Sequence, residues 1–419
     1  IDTFKGYKQS EILDETVWNT IKSDIKDAEA LVADETSLSK DIKALRKQME
    51  SYNATVTEEI DRTATRNGLK ESIDYCKSLK EGDYSNKDTF AKLADAITTA
   101  EKAYTNVSDT RLNYKAARDT LEKVRVALTK NVSTESSNPK TFRILDKKTV
   151  IKEMGAGINL GNTMDGGLYD SSETGWQAYK TTKDYIKALH DAGYNTVRIP
   201  VTWGSHINDD YTIDEAWINR VQEIVDYCVD QDMYAIVNIH HDGAANHDDR
   251  GNNTPACWLD TYSQNIEKVY QKYEGVWNTI ANRFKDYDEH VIFESMNEVT
   301  DAHGTATNED DAVLNALNQL FINTVRATGS NNTKRWLAIT GRFATTAAIT
   351  TMPEDTLADS GDLGTTRLMF AVHIYKSNNN VRWSYDDLKQ WQSSMSSSYK
   401  NVGNLDSNMP IYVGEYGVR

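Results

Sequence analysis

HVIFESMNEV, residues 290–299, begins as a continuous apolar run and turns within four residues to acid and amide. His290–Glu294 reads as a short strand buried on both faces. Side chains alternate along a strand, so Glu294 and Glu298 share a face if the strand stays regular. Four residues at about 3.3 Å each carry Glu298 roughly 13 Å further along. Glu294 is then expected deep in the fold, bonded to neighbouring strands, and Glu298 at its mouth. Asn297 has the opposite parity, so a bulge is expected to turn its amide inward.

Working outward, the same grammar recurs from about residue 143. Further strands are expected at Gly157–Leu160, Thr196–Pro200, Tyr234–Ile239, Arg335–Ile339, Leu368–His373 and Pro410–Gly414. Amphipathic helices are expected at Lys180–Ala192, Asp214–Asp230, Ile266–Lys285, Glu309–Thr328 and Tyr385–Tyr399. Apolar strands alternating with helices predict a parallel sheet covered on both faces. Seven such units with no dinucleotide glycine fingerprint after the first strand favour an α/β fold of the (β/α)8 TIM barrel type. The chain ends four residues past Glu415. The barrel is therefore expected to be truncated after strand 7, without its last units.

Residues 1–140 are different. Lys, Glu, Asp and Ala dominate, and Val17, Ile21, Ile25, Ala28 and Leu31 mark a helical stripe. A second stripe runs Ile42, Leu45, Met49, Tyr52. The pattern repeats at an offset of 72: Ile25 to Glu29 matches Ile97 to Glu101, and the second stripe matches Tyr114, Ala117, Leu121 and Val124. This predicts an all-α region of two helical-bundle repeats, residues 1–65 and 66–130. Residues 131–142, rich in Ser, Thr and Asn, read as a linker, and residues 143–419 as the barrel.

Of 419 residues, 47 are Lys or Arg and 63 Asp or Glu, a formal net charge of −16. That argues against a nucleic-acid or anionic-membrane partner. No run of about 20 apolar residues occurs, so no membrane span is expected. Cys76, Cys228 and Cys257 show neither a CxxC spacing nor a pairing pattern. No signal peptide is visible at Ile1, and the chain reads as a mature or trimmed form.

In a barrel of this kind chemistry gathers where strands end. The residues there are Asn159 and Asn162; Arg198 and Trp203; His240, His241 and Asp242; Asn297 and Glu298; His373 and Tyr375; and Glu415. Glu298 and Glu415 form a candidate carboxyl pair. Glycosidic cleavage needs one carboxylic acid to protonate the leaving oxygen and one carboxylate to attack or to activate water. Their environments must push the two pKa values apart. Arg198 and the Tyr375 hydroxyl can favour the charged form of Glu415. His240 and His241 adjoin on a strand and are expected to point to opposite faces, so no metal site is expected. Trp203 and Trp258, in the top loops, are candidates for stacking on sugar rings; Trp217 and Trp277 sit in helical patterns and read as core.

Residues 150–419 resemble glycoside hydrolase family 5, the cellulase-type retaining enzymes. The resemblance rests on GINLGNTMD, YNTVRIPVTW, VNIHHDG, FESMNEV, AVHIY and VGEYG, in that order. With ETGW (Glu173–Trp176) behind the first motif, the chain is similar to the endo-β-1,4-glucanase and xyloglucanase subfamily. The resemblance implies Glu298 as acid/base, Glu415 as nucleophile, Asn297 on the sugar 2-hydroxyl, Arg198 and Tyr375 holding the nucleophile, and His240 and His373 beside them. It implies no cofactor, and a plant cell-wall β-glucan as substrate. It also implies a secreted or cell-surface bacterial enzyme, in keeping with the low cysteine count of an anaerobe's secreted protein. Val299 stands where many relatives carry proline, and Lys376-Ser377-Asn378 replaces an aromatic-rich stretch. Residues 1–140 resemble FIVAR-type repeats of Gram-positive surface proteins, which implies attachment to a surface or polysaccharide. The same pair would serve a mannanase or xylanase. A non-catalytic carbohydrate-binding surface protein is the rival from another class.

Overall fold

A computed structural model describes residues 1–34, 39–135, 138–166, 172–243, 257–263, 265–300, 308–345, 353–358, 367–376 and 409–418, with 386, 389–390 and 393 beyond these. The chain divides into two compact units, residues 1–81 with 87–125, and residues 82–86 with 126–419.

The first unit is all helical. It contains α1 (Asp2–Gly6), α2 (Glu15–Ala33), α3 (Ser39–Ser78), α4 (Lys87–Thr105) and α5 (Arg111–Val126). Asp14 caps α2, its carboxylate accepting from the Thr16 and Val17 amides. Helices α2 and α4 are both 19 residues long and begin at residues 15 and 87; α3 and α5 begin at 39 and 111. Both offsets equal the 72 of the sequence match. Helix α3 is 40 residues long and runs unbroken through residues 65 and 66. Its first half packs Met49 and Val56 with Val17, Ile21 and Ala28 of α2. Its second half lies against α4.

Among the described residues the second unit carries seven parallel strands, hydrogen-bonded in chain order. They are β1 (Gly157–Asn159), β2 (Thr196–Ile199), β3 (Tyr234–Asn238), β4 (Val291–Glu294), β5 (Leu337–Ile339), β6 (Leu368–Lys376) and β7 (Ile411–Val418). Every expected strand is present, within a few residues of its expected bounds, and the expected TIM-type α/β barrel with a helical amino-terminal region is the fold observed. Between the strands lie α7 (Lys183–Asp191), α8 (Glu215–Val229), α9 (Ile266–Phe284) and α10 (Asn308–Ala327). The helix expected at 385–399 falls largely outside the described residues.

Strand alternation sorts the core into two layers. Val237, Phe293, Ile339 and Phe370 face the helices and pack with Val221, Trp277 and Phe321. Ile236, Ile292, Ala338 and Met369 face the other way and pack with Val150 and Met154 of α6 (Lys147–Met154), a helix that precedes β1. On this inner face one step of two residues changes the chemistry. Ile236 is followed by Asn238 and Ile292 by Glu294, and Asn238 pairs in register with Glu294. The inner face is thus apolar at one end and polar where the strands end.

Residues 126–135 and 138–140, partly read as a linker, lie along the barrel unit. Ser133 N donates to Ala327 O at 2.8 Å and Lys140 N to Asp286 O at 2.8 Å. Asn323 bonds the carbonyls of Val126 and Leu128. Gly329, at φ +74°, lets Ser133 approach, since a Cβ there would stand 2.6 Å from the Ser133 carbonyl oxygen. Polar side chains do not stop this stretch from ordering, because its backbone groups find partners on the barrel. Among the described residues no helix is long and apolar enough to cross a membrane.

Candidate active site

Arg198, from β2, organises the strand ends. Its side chain is 3% exposed. Nε and Nη2 donate to Glu294 at 2.9 and 2.7 Å. Nη1 donates to Glu415 Oε1 at 2.8 Å and to Asn159 Oδ1 at 3.0 Å. Nη2 also donates to Asn297 Oδ1 at 2.8 Å. One guanidinium thus ties its own strand β2 to β1, β4 with the turn after it, and β7, using the donor fork that a lysine lacks.

Glu294 takes the structural place expected for it. It bonds Arg198, Asn238 at 3.3 Å, and the hydroxyl of Tyr412. Burial pushes its carboxyl up, but the charge of Arg198 outweighs burial and holds it below its ordinary value.

The strand does not continue to Glu298 as alternation required. Regular pairing stops at Glu294. Ser295 Oγ donates to Asn318 at 2.8 Å, and Ser295 O accepts from Tyr273 and Trp277 at 2.8 and 3.2 Å. These bonds draw the backbone outward. The turn that follows, not a bulge within the strand, brings Asn297 to Arg198.

Glu298 and Glu415 face each other. The ligand atoms of Glu298, His373 and Glu415 lie within 4.8 Å of one another. His373 Nδ1 stands 2.6 Å from Glu298 Oε1 and 3.7 Å from Glu415 Oε2. Tyr375 donates its hydroxyl to Glu415 Oε2 at 2.6 Å. Burial raises the Glu415 carboxyl. The charges of Arg198 and His373 and the Tyr375 bond overcome that and hold it below its ordinary value.

A bulge in β7 makes this possible. Val372 pairs with Val413 but His373 pairs with Glu415, so Gly414 is the extra residue. Tyr412 and Glu415 consequently both face inward, although they are three apart. A Cβ on Gly414 would lie 3.1 Å from His373 Nε2, so the imidazole rests on this glycine. Asn159 Nδ2 donates to the Gly414 carbonyl at 2.7 Å.

The two adjacent histidines do not diverge. Both follow the end of β3, outside its alternation, and their rings meet edge-on at 4.4 Å. Both approach Asp165 Oδ2, His240 Nε2 at 4.0 Å and His241 Nε2 at 3.7 Å. His240 Nε2 is also 3.9 Å from Glu415. Burial, then neighbouring positive charge, depresses the His240 imidazole well below its ordinary value, so it is neutral.

Trp203 corrects the reading of it as a sugar platform. It is fully buried, and its Nε1 donates to Asn238 O at 2.8 Å. Its amide bonds the carboxylate of Asp242, which also accepts from Trp258 Nε1 at 2.7 Å. Trp258 is half-buried in that network. Asn162 is exposed in the turn after β1, in the left-handed region at φ +61°. Trp217 and Trp277 are core residues, as expected.

Three participants escaped the sequence reading. Asp165 stands three residues past Asn162 within the quoted GINLGNTMD. Tyr412 stands inside the strand expected at Pro410–Gly414, where no role was assigned to it. Trp176, 40% exposed, lies 5.4 Å from the His241 ring, edge to face.

Two carboxyl groups this close at the carboxyl-terminal rim of a parallel barrel define the retaining class of glycosidic-bond hydrolases. The chain belongs to glycosyl hydrolase family 5: that family's cellulase model matches residues 147–419. It is 34% identical over 289 residues to Endoglucanase A of Ruminococcus albus, covering 66% of this chain and 75% of the relative. Its fold is similar to a family 5 xyloglucanase from Paenibacillus pabuli, at TM-score 0.55 and 33% identity over 64% of this chain and 80% of the other. A broad specificity endoglucanase from Clostridium acetobutylicum superposes at TM-score 0.54 and 33% identity, over 65% and 80%.

Proposed function

We propose that the chain cleaves β-1,4-linked glucan backbones, cellulose, mixed-linkage β-glucan or xyloglucan, internally and with retention of configuration. The observation that carries this is the approach of Glu298 and Glu415, whose facing oxygens lie within 4.8 Å of each other, the close pairing that a retaining mechanism needs. Glu415 is the nucleophile. Arg198 and Tyr375 keep it ionised and fix its two oxygens. Glu298 is the acid/base. In the first step Glu415 attacks the anomeric carbon while Glu298 gives its proton to the departing oxygen. In the second, Glu298 takes a proton from water, which displaces Glu415 from the covalent glycosyl-enzyme. His373, 2.6 Å from Glu298 and 3.7 Å from Glu415, orients Glu298. Asn297, held by Arg198, presents its amide to the sugar 2-hydroxyl; His240, His241 and Asp165 form the wall beside Glu415.

Endoglucanase and xyloglucanase relatives support the glucan assignment over mannan or xylan. Such polymers do not enter cells, so the enzyme acts as a secreted or cell-surface protein. Residues 1–140 serve as its attachment segment. Hydrolysis of cellulose, barley β-glucan, xyloglucan, mannan and xylan by the chain, with product anomers followed by NMR, tests the reading. An α-anomer as first product from a β-glucan would exclude the double displacement. Adsorption to insoluble cellulose that persists when soluble oligosaccharide fills the barrel site is expected if the helical unit attaches; complete release would exclude it.

A further inference from the structure

Which nitrogen of His240 carries its proton is decided by Asn238, a fully buried residue of β3. Two partners that cannot exchange roles fix the orientation of the Asn238 amide. Its Oδ1 accepts from the Val201 amide at 3.1 Å, and a backbone N–H only donates. Its Nδ2 donates to Glu294 Oε1 at 3.3 Å, and Glu294, held ionised by Arg198, only accepts. Turning the amide over would set donor against donor at Val201 and acceptor against acceptor at Glu294.

The second proton of the same Nδ2 points to His240 Nδ1, 3.2 Å away. A donor in that place requires Nδ1 to accept. His240 is neutral, so its one ring proton is on Nε2. Nε2 faces a polar corner, with Asp165 Oδ2 at 4.0 Å and Glu415 Oε1 at 3.9 Å. His241 Nε2 stands 3.7 Å from the same Asp165 oxygen. The other oxygen, Oδ1, accepts from the Thr163 amide at 2.8 Å. Two imidazoles and a carboxylate, with ligand atoms within 4.8 Å of one another, have the composition of a zinc or copper site. A histidine that ligates through Nε2 must leave that nitrogen bare and give its Nδ1 proton to a carbonyl or carboxylate behind it. Behind His240 stands a donor instead.

We propose that Asn238 is a positioning residue that holds the His240 proton on Nε2, so that Asp165, His240 and His241 set a hydrogen-bond donor beside the nucleophile and do not close on a transition-metal ion. An N–H in this place favours the ionised form of Glu415. Its value to catalysis rests on the glycosidase reading; the position of the proton does not.

The test begins with the whole chain labelled with nitrogen-15 in its histidines. A long-range proton–nitrogen NMR spectrum is expected to show Nδ1 of His240 bare and Nε2 protonated, the signal being identified by its loss in His240→Gln. Asn238→Asp replaces the donor by an acceptor of the same shape. The His240 proton should move to Nδ1, and zinc affinity, read by competition with a chromogenic chelator, should rise about ten- to hundredfold. Adding His241→Ala should cancel that gain. A His240 proton on Nδ1 in the unsubstituted protein would overturn the proposal, and so would equal zinc affinity in a folded Asn238→Asp variant. The spectrum of the unsubstituted protein decides even if Asn238→Asp, which sets a second carboxylate beside Glu294, does not fold. No sugar enters either measurement, so a failed glucan assignment leaves both outcomes standing.

Discussion

Arg198 and Glu294 form a two-pronged ion pair inside the barrel, Nε to Oε2 at 2.9 Å and Nη2 to Oε1 at 2.7 Å, with side chains 3% and 1% exposed. The pair is the platform on which Glu415 stands, because the remaining donor of the same guanidinium reaches Glu415 Oε1. Glu294→Gln leaves Arg198 with half its counter-charge in a buried site. A loss of about 3 to 5 kcal/mol in folding stability is expected, read from urea unfolding; a neutral result would show the pair to be dispensable.

Tyr375→Phe removes one of the bonds that hold the Glu415 carboxyl below its ordinary value of 4.5. The group then titrates at higher pH. The acid limb of the kcat/KM profile should move upward in pH, with the alkaline limb unmoved. A profile that stays in place would separate Tyr375 from the nucleophile's ionisation.

Glu298→Ala and Glu415→Ala should both lose polysaccharide hydrolysis, by about a thousandfold or more. Their responses to azide distinguish them. The Glu415 variant should give a glycosyl azide of inverted configuration, and the Glu298 variant one of retained configuration from an activated aryl glucoside. Exchange of these outcomes would reverse the two roles.

Burial raises Asp242 to about 7 from its ordinary 3.8. The folded state therefore holds a proton that the unfolded state has released between those values. The stabilisation is complete below 3.8 and lost as pH rises through about 7. Asp242→Asn should flatten stability against pH across that window, as followed by thermal unfolding.

Gly414→Ala places a methyl against His373, which holds Glu298. About ten- to hundredfold lower kcat is expected, with KM little changed, because a small displacement of an acid/base is costly. Unaltered kcat would show that the imidazole has room to move.

Trp203→Ala opens a cavity in the core, and about 3 to 5 kcal/mol of stability should be lost. Trp176→Ala, at an exposed ring beside His241, should leave the melting temperature alone and raise KM.

The barrel was legible because its strands are short, apolar and regularly spaced. Val197, Ile236 and Ile292 needed no context to read as buried strand. Glu298 and Glu415 were legible as residues that follow such runs. Orientation was harder, because alternation holds only while the ladder lasts. Glu294, within β4, went where parity sent it. Asn297, His240 and His241 lie just beyond their strands, where turns and not pleats aim the side chains. The β7 bulge at Gly414 left no mark in composition, so the bond of Tyr412 to Glu294 went unseen. Trp203 was read by its loop position, whereas its burial comes from bonds to Asn238 and Asp242 on the next strand and the turn after it.

The unbroken course of α3 has a mechanical consequence. Forty residues at about 1.5 Å each make a rod of about 60 Å with no joint in its middle. Two repeats that share such a strut cannot hinge against each other as beads on a string do. Moving one repeat against the other would require bending or breaking the helix itself, not turning about a linker.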